Sequence, residues 1–140
     1  MKALYTAEAT AFGGRKGHAE TSDGVLKVEL EMPKVMGGSG GAKTNPEQLF
    51  ATGYAACFGS AIEFVARQQH VSLTDVEVHS KVHIGTTDTG AGFKLAVELM
   101  VKLPGIARAV GQKLIDTAHQ VCPYSNATRG NIDVTITLAA

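Results

Sequence analysis

The chain has 140 residues, 44% of them apolar and 19% charged, with 13 basic residues balanced by 13 acidic ones for a formal net charge of zero. That length carries one compact domain with a real core and leaves little room for a second. The basic residues form no run, so neither nucleic acid nor an anionic membrane has an electrostatic footprint to meet. Residues 1–12 lack the apolar segment of a secretory signal, and no stretch approaches ~18 uninterrupted apolar residues. A cytoplasmic protein is the expectation. Reducing pools in that compartment keep thiols free, so Cys57 and Cys122 are either a redox pair or two unrelated small buried residues.

In chain order, residues 3–12 and 25–31 read as strands, with the GGRKG segment at 13–17 as a turn and Asp23-Gly24 as a second hairpin signal, a β-meander start. The glycine-rich segment 36–42, MGGSGGA, leads into a long helix expected over residues 45–69, with Asn45 as N-cap and Pro46 at the first helical position. A phosphate-cradling loop is rejected because Ala42 separates the glycines from Lys43 and Pro46 removes an N–H from the helix start. The helix is lined with small residues, Gly53, Ala55, Ala56, Gly59, Ser60 and Ala61, which let another backbone come close, and Cys57 lies among them.

After His70 the period changes to two. Val76, Val78, Ser80, Val82 and Ile84 share one strand face, and Glu77, His79, Lys81 and His83 the wet one. His79 and His83 stand roughly 13 Å apart along a strand and cannot share an ion without further ligands, so no metal site is expected. A turn at residues 87–92 leads to the cleanest alternation in the chain, Phe93 to Leu103, read as a central half-buried strand. Ile106, Val110, Leu114, Ala118 and Val121 recur at helical spacing up to Cys122; Pro123 then ends the helix, making the CPYSNATRG segment a loop, and residues 132–138 form the last strand. The order β-β-α-β-β-α-β points to an α+β fold with a largely antiparallel sheet around a long central helix.

The thiolate is the reactive form of cysteine, and burial in an apolar helix raises a thiol pKa. Cys57 lies about three turns past the helix start, beyond the reach of the macrodipole, so a nucleophilic Cys57 needs a cation from elsewhere. Arg15, in its glycine-flanked turn, is the best-placed candidate, set against a plain reading as a solvated hairpin arginine. Glu47 in the first helical turn either favours the dipole or holds the Arg15 guanidinium fork. Met36, Tyr54, Phe58 and Phe93 are candidates for an apolar pocket wall or for ordinary core.

The strings NPEQLFATGYAACF (45–58) and VCPYSNATRGNI (121–132), with the FGGRKG turn (12–17), resemble the motifs of the organic hydroperoxide resistance (Ohr) branch of the Ohr/OsmC family. The resemblance implies an OsmC-like intertwined homodimer with active sites at the subunit interface. It makes Cys57 the peroxidatic cysteine, Cys122 the resolving cysteine, Arg15 the thiolate-polarising cation and Glu47 its carboxylate partner. It further implies an organic hydroperoxide as substrate, no bound cofactor, and lipoyl groups of a lipoylated protein as the external dithiol reductant. Glu47 and Cys57 are ten residues apart, about 15 Å along a straight helix, so one Arg15 cannot readily touch both. The Glu47 that meets a Cys57–Arg15 pair is therefore expected from the partner subunit, with two long helices packed through Gly53, Ala56 and Ser60. Two other functions compete with a thiol peroxidase: a thiol-based redox sensor without turnover, and an apolar-ligand carrier in which both cysteines are core.

Overall fold

The computed structural model describes residues 1–140. The chain forms two compact units, residues 1–49 and 50–140. In the first, strands β1 (Ala9–Phe12), β2 (His18–Thr21) and β3 (Lys27–Glu29) make the expected antiparallel meander, in the order β1-β2-β3. The sequence pattern left β2 unnamed because its four residues are too few to show a period. Residues 37–42 are held by Glu31, whose carboxylate accepts hydrogen bonds from the Ser39 and Gly41 backbone N–H groups and the Ser39 hydroxyl. The loop that resembles a phosphate cradle thus spends its donors on a carboxylate of its own chain.

Helix α1 (Pro46–Gln68) begins in the first unit and continues into the second. Its start is chemically determined: Asn45 Oδ1 accepts the Gln48 N–H at 2.9 Å, and Pro46 occupies a position whose N–H has no helical partner. It ends where His70 takes φ +54°, and the Val71 N–H closes back on the Ala66 carbonyl at 2.9 Å. By length and composition alone α1 could cross a membrane, yet its Tyr54, Phe58, Ile62 and Val65 are buried in the core of the second unit.

That core lies against a three-stranded sheet ordered β4 (Glu77–Thr86), β5 (Phe93–Lys102), β6 (Val134–Leu138). Strands β4 and β5 pair antiparallel over ten residues, so the period-two pattern sorts into a core face with Val97, Leu99 and Val101 and a solvated face. On the solvated face Lys102 meets Glu77 at 2.6 Å, and Glu98 meets His83 at 2.9 Å and Lys81 at 3.8 Å. No group of three metal-ligating side chains forms. β5 is central, as its alternation predicts. It pairs parallel with β6, because the intervening chain crosses through α2 (Arg108–Val121) and α3 (Pro123–Thr128), which carry it back to the same end of the sheet.

Leu114, Ile115 and Ala118 of α2 complete the core with α1 and the sheet. Each fully buried large apolar side chain there contributes about 1.5–3 kcal/mol. The α+β class holds, with the antiparallel arrangement broken by this one parallel pair. The expected loop after Cys122 is instead α3. Proline ends one helix but is well suited to the first position of another, and Cys122, at φ −63° and ψ 124°, is the single extended residue that joins the two.

Candidate active site

Two constellations of candidate residues form, one in each unit. In the first unit, a 3-10 turn at residues 14–16 presents Arg15, with the Lys16 N–H on the Gly13 carbonyl at 3.2 Å and the Gly17 N–H on the Gly14 carbonyl at 3.3 Å. The turn can be this tight only with glycine at 17: a Cβ there would lie 1.7 Å from the Phe12 carbonyl oxygen. Arg15 donates both terminal guanidinium nitrogens to Glu47, Nη1 to Oε2 at 2.7 Å and Nη2 to Oε1 at 2.5 Å. This is the bidentate fork that only a planar guanidinium supplies. The pairing holds the Glu47 carboxyl below the ordinary carboxylate range and raises the Arg15 pKa further.

Both residues belong to one chain, so Arg15 and Glu47 act as one unit and reach any given Cys57 together. The path through β3, the glycine loop and the cap brings the helix's first turn back to the hairpin. Positions 47 and 57 on α1 are separated by a rise of ~15 Å.

In the second unit α1 carries Cys57, partly exposed, and the joint between α2 and α3 carries Cys122, fully buried. The Cys122 Sγ stands 3.6 Å from the Cys57 Sγ, close enough for an S–H···S contact. Both thiols are free. Burial pushes the Cys57 thiol up, the Tyr124 backbone N–H aimed at its sulfur acts in the opposite direction, and the neighbouring Cys122 adds to the rise. Within this unit Cys57 is therefore held mainly as a thiol, with one N–H prepared for the thiolate.

Three further residues shape the sulfur pair, and sequence reasoning had passed over all of them in reading 123–130 as a loop. Tyr124 lies across Gly53: a Cβ on that glycine would come 2.8 Å from the Tyr124 hydroxyl and 3.3 Å from its ring. Gly53 is thus covered by Tyr124 of its own chain, whereas Ala56 and Ser60 are exposed. The Tyr54 hydroxyl meets Ser125 Oγ at 2.9 Å and Thr128 Oγ1 at 3.2 Å inside the core. The available signal was Pro123 followed by residues tolerated in a first helical turn.

Of the pocket candidates, Tyr54 and Phe58 are wholly buried and belong to the core, not to the wall of an open pocket. Phe93 is 73% exposed at the head of β5 and outside the core cluster. Met36 is half-buried in the first unit, in a 3-10 turn at residues 34–36.

Residues 38–137 match the OsmC-like protein family, and the chain is 56% identical over 139 residues to an organic hydroperoxide resistance protein of Xanthomonas axonopodis pv. citri, spanning 99% of this chain and 96% of that one. The chain belongs to the Ohr branch of the OsmC-like family. Among solved Ohr structures, OhrB of Bacillus subtilis superposes with a TM-score of 0.91 at 47% identity, covering 98% of this chain and all of the other. A putative organic hydroperoxide resistance protein of Vibrio cholerae, solved with captopril bound in one of the active sites, superposes with a TM-score of 0.93 at 48% identity, covering 99% of this chain and 94% of that one. The α+β fold with its long central helix is accordingly that of Ohr proteins.

Proposed function

We propose that the protein is a thiol peroxidase that reduces organic hydroperoxides to alcohols. The observation that carries this reading is the 3.6 Å separation of two free sulfurs contributed by residues 65 apart in the chain. The Cys57 thiolate attacks the terminal oxygen of ROOH; the O–O bond breaks, the alkoxide leaves and takes a proton to become the alcohol, and Cys57 becomes a sulfenic acid. The Cys122 sulfur then attacks the Cys57 sulfur, the S–O bond breaks, and hydroxide leaves with the thiol proton as water. A dithiol reduces the resulting disulfide by exchange through a mixed disulfide. Lipoyl groups of a lipoylated protein suit this step, since a dithiol completes the exchange within one molecule.

Arg15, preorganised by Glu47, is the cation that holds the Cys57 thiolate and stabilises charge as the O–O bond breaks. Its guanidinium is committed to Glu47 of its own chain, a helical position ~15 Å along the axis from Cys57. That commitment supports a homodimer in which the Arg15–Glu47 pair of one protomer serves Cys57 of the other. Preference for alkyl hydroperoxides over hydrogen peroxide then rests on apolar burial, about 0.8 kcal/mol per methylene. A cytoplasmic location fits the free thiols.

The test is consumption of tert-butyl hydroperoxide with dihydrolipoamide as donor. Turnover is expected in the wild type, none in Cys57→Ser, and a single oxidation without disulfide in Cys122→Ser. Full turnover by Cys57→Ser refutes the mechanism. Oxidation of the wild type without turnover favours a redox sensor.

A further inference from the structure

Three hydroxyls meet in the core of the second unit, one helical turn from the reactive sulfurs. Tyr54 and Ser125 have no exposed surface, and Thr128 is 5% exposed. Buried hydroxyls must be satisfied, and the contacts permit an assignment in which each donates once, Thr128 having the Tyr124 and Ser125 carbonyls in reach at 2.9 and 3.2 Å. The Thr128 hydroxyl donates to the Tyr124 carbonyl at 2.9 Å, the Tyr54 hydroxyl donates to Thr128 Oγ1 at 3.2 Å, and the Ser125 hydroxyl donates to the Tyr54 oxygen at 2.9 Å. Each hydroxyl then donates once, and the chain of bonds ends on the backbone of Tyr124.

The placement of that chain matters more than its contribution to stability. Tyr54 stands three residues before Cys57 on α1, on the neighbouring turn and the same side. Ser125 and Thr128 stand three and six residues after Cys122. The knot therefore ties the Cys57-bearing helix to the segment that follows Cys122. A disulfide requires the sulfurs to close from 3.6 Å to about 2.05 Å, with Cα atoms about 5.5–6 Å apart. An error of about 0.3 Å in the spacing of α1 and α3 is about a fifth of that travel. Three serial hydrogen bonds add to the packing a directional constraint that apolar contacts lack.

We propose that Tyr54, through Ser125 and Thr128, is a positioning residue for the resolving step: it sets the register of α3 against α1 so that Cys122 meets Cys57 as soon as the sulfenic acid forms. The claim rests on the peroxidase reading for its oxidant, an organic hydroperoxide. In the step it governs, the Cys57 S–O bond breaks, the Cys57–Cys122 S–S bond forms, and hydroxide leaves with the Cys122 proton as water. Where that step is slow, a second hydroperoxide instead oxidises the sulfenic acid to sulfinic acid, which the dithiol does not restore. The knot thus guards against over-oxidation.

Tyr54→Phe removes one oxygen and keeps the ring. After one equivalent of tert-butyl hydroperoxide, disulfide formation is expected to slow by about tenfold or more, less than the roughly hundredfold that a 1 Å misplacement can cost. With excess hydroperoxide, mass spectrometry should find the sulfinic form accumulating at Cys57. In the reduced protein, without any peroxide, the pH midpoint for iodoacetamide alkylation of Cys57 should rise, because the Tyr124 N–H is no longer held towards its sulfur. The equilibrium with dithiothreitol should shift towards the reduced form. Ile62→Val, a core truncation that removes no hydrogen bond, should leave all four readouts at wild-type values while lowering the melting temperature.

Wild-type disulfide rate, midpoint and equilibrium in Tyr54→Phe overturn the proposal, as do equal shifts in Ile62→Val. Should Tyr54→Phe fail to fold, Ser125→Ala carries the same expectations and the same refutation. A wild type that consumes no hydroperoxide defeats the peroxidase reading, yet the alkylation midpoint and the dithiothreitol equilibrium still decide whether the knot positions the sulfurs.

Discussion

Gly53→Ala sets two known effects against each other at one atom. An alanine in the middle of α1 gains about 1 kcal/mol of helix propensity over glycine. The new Cβ, however, arrives 2.8 Å from the Tyr124 hydroxyl oxygen and 3.3 Å from two ring carbons. Ordinary contact begins near 3.4 Å, so the hydroxyl must recede by about 0.6 Å. The ring, 37% exposed, can tilt outwards only in part, since it is flanked by Phe50 at 5.8 Å and Tyr54 at 5.6 Å between ring centroids. Overpacking of this kind costs about 1–3 kcal/mol, which leaves a net destabilisation of about 1 kcal/mol and a fall in melting temperature of about 4 °C.

The shift also moves the Tyr124 backbone at the start of α3, next to Cys122, so the mutant's disulfide should form more slowly after one equivalent of hydroperoxide. Thermal denaturation followed by circular dichroism reads the first effect, and thiol counting after a rapid quench the second. Tyr124→Phe removes the nearest atom, so the double mutant should recover much of both losses, a non-additive result for residues in contact. If Gly53→Ala is instead stabilised by the full propensity gain and forms its disulfide at the wild-type rate, the steric reasoning is wrong.

Glu47→Gln removes one charge of a bidentate pair whose side chains are 33% and 12% exposed, and solvent screening limits the stability cost to about 1 kcal/mol by chemical denaturation, while peroxide turnover should fall much further. In the wild type, the Glu47 pKa is depressed on folding, so its contribution is complete above the ordinary glutamate value and is lost as pH falls through the lower folded value; Glu47→Gln should flatten that part of the acid-stability profile. His70→Gly relieves the one non-glycine residue in the left-handed region and should stabilise the protein by about 0.5–1 kcal/mol with turnover unchanged. Glu31→Ala should accelerate amide hydrogen exchange at Ser39 and Gly41, whose N–H groups lose their acceptor; unchanged protection would show that the glycine loop holds its shape without the carboxylate.

Much of the architecture was written locally. The cap at Asn45 and Pro46, the period-two alternation of β4 and β5 and the helical spacing of Leu114 and Ala118 are local signals, because a helix start or a half-buried strand is decided by near neighbours. The strings around Cys57 and Cys122 were specific enough to point to the family. What chain order could not carry was anything decided by two distant segments meeting. Pro123 is compatible with the end of one helix and the start of the next, and the contacts of Ser125 and Thr128 with Tyr54 that accompany the second outcome join residues more than 70 apart.

Tyr54 and Phe58 looked equally suited to core and pocket wall because an aromatic on an apolar helix serves either; the sheet and α2 closing over them chose core. Arg15 and Glu47 were named as partners by chemistry, but their meeting within one chain was decided by the path through β3 and the glycine loop, which a helical rise cannot report. The sequence alone determined which side chains carry reactive sulfur, positive charge and carboxylate, since these are properties of single residues. Tertiary structure alone decided that the sulfurs stand 3.6 Å apart and that the guanidinium lies on its own chain's Glu47, because distances between remote residues are set by how the elements between them pack.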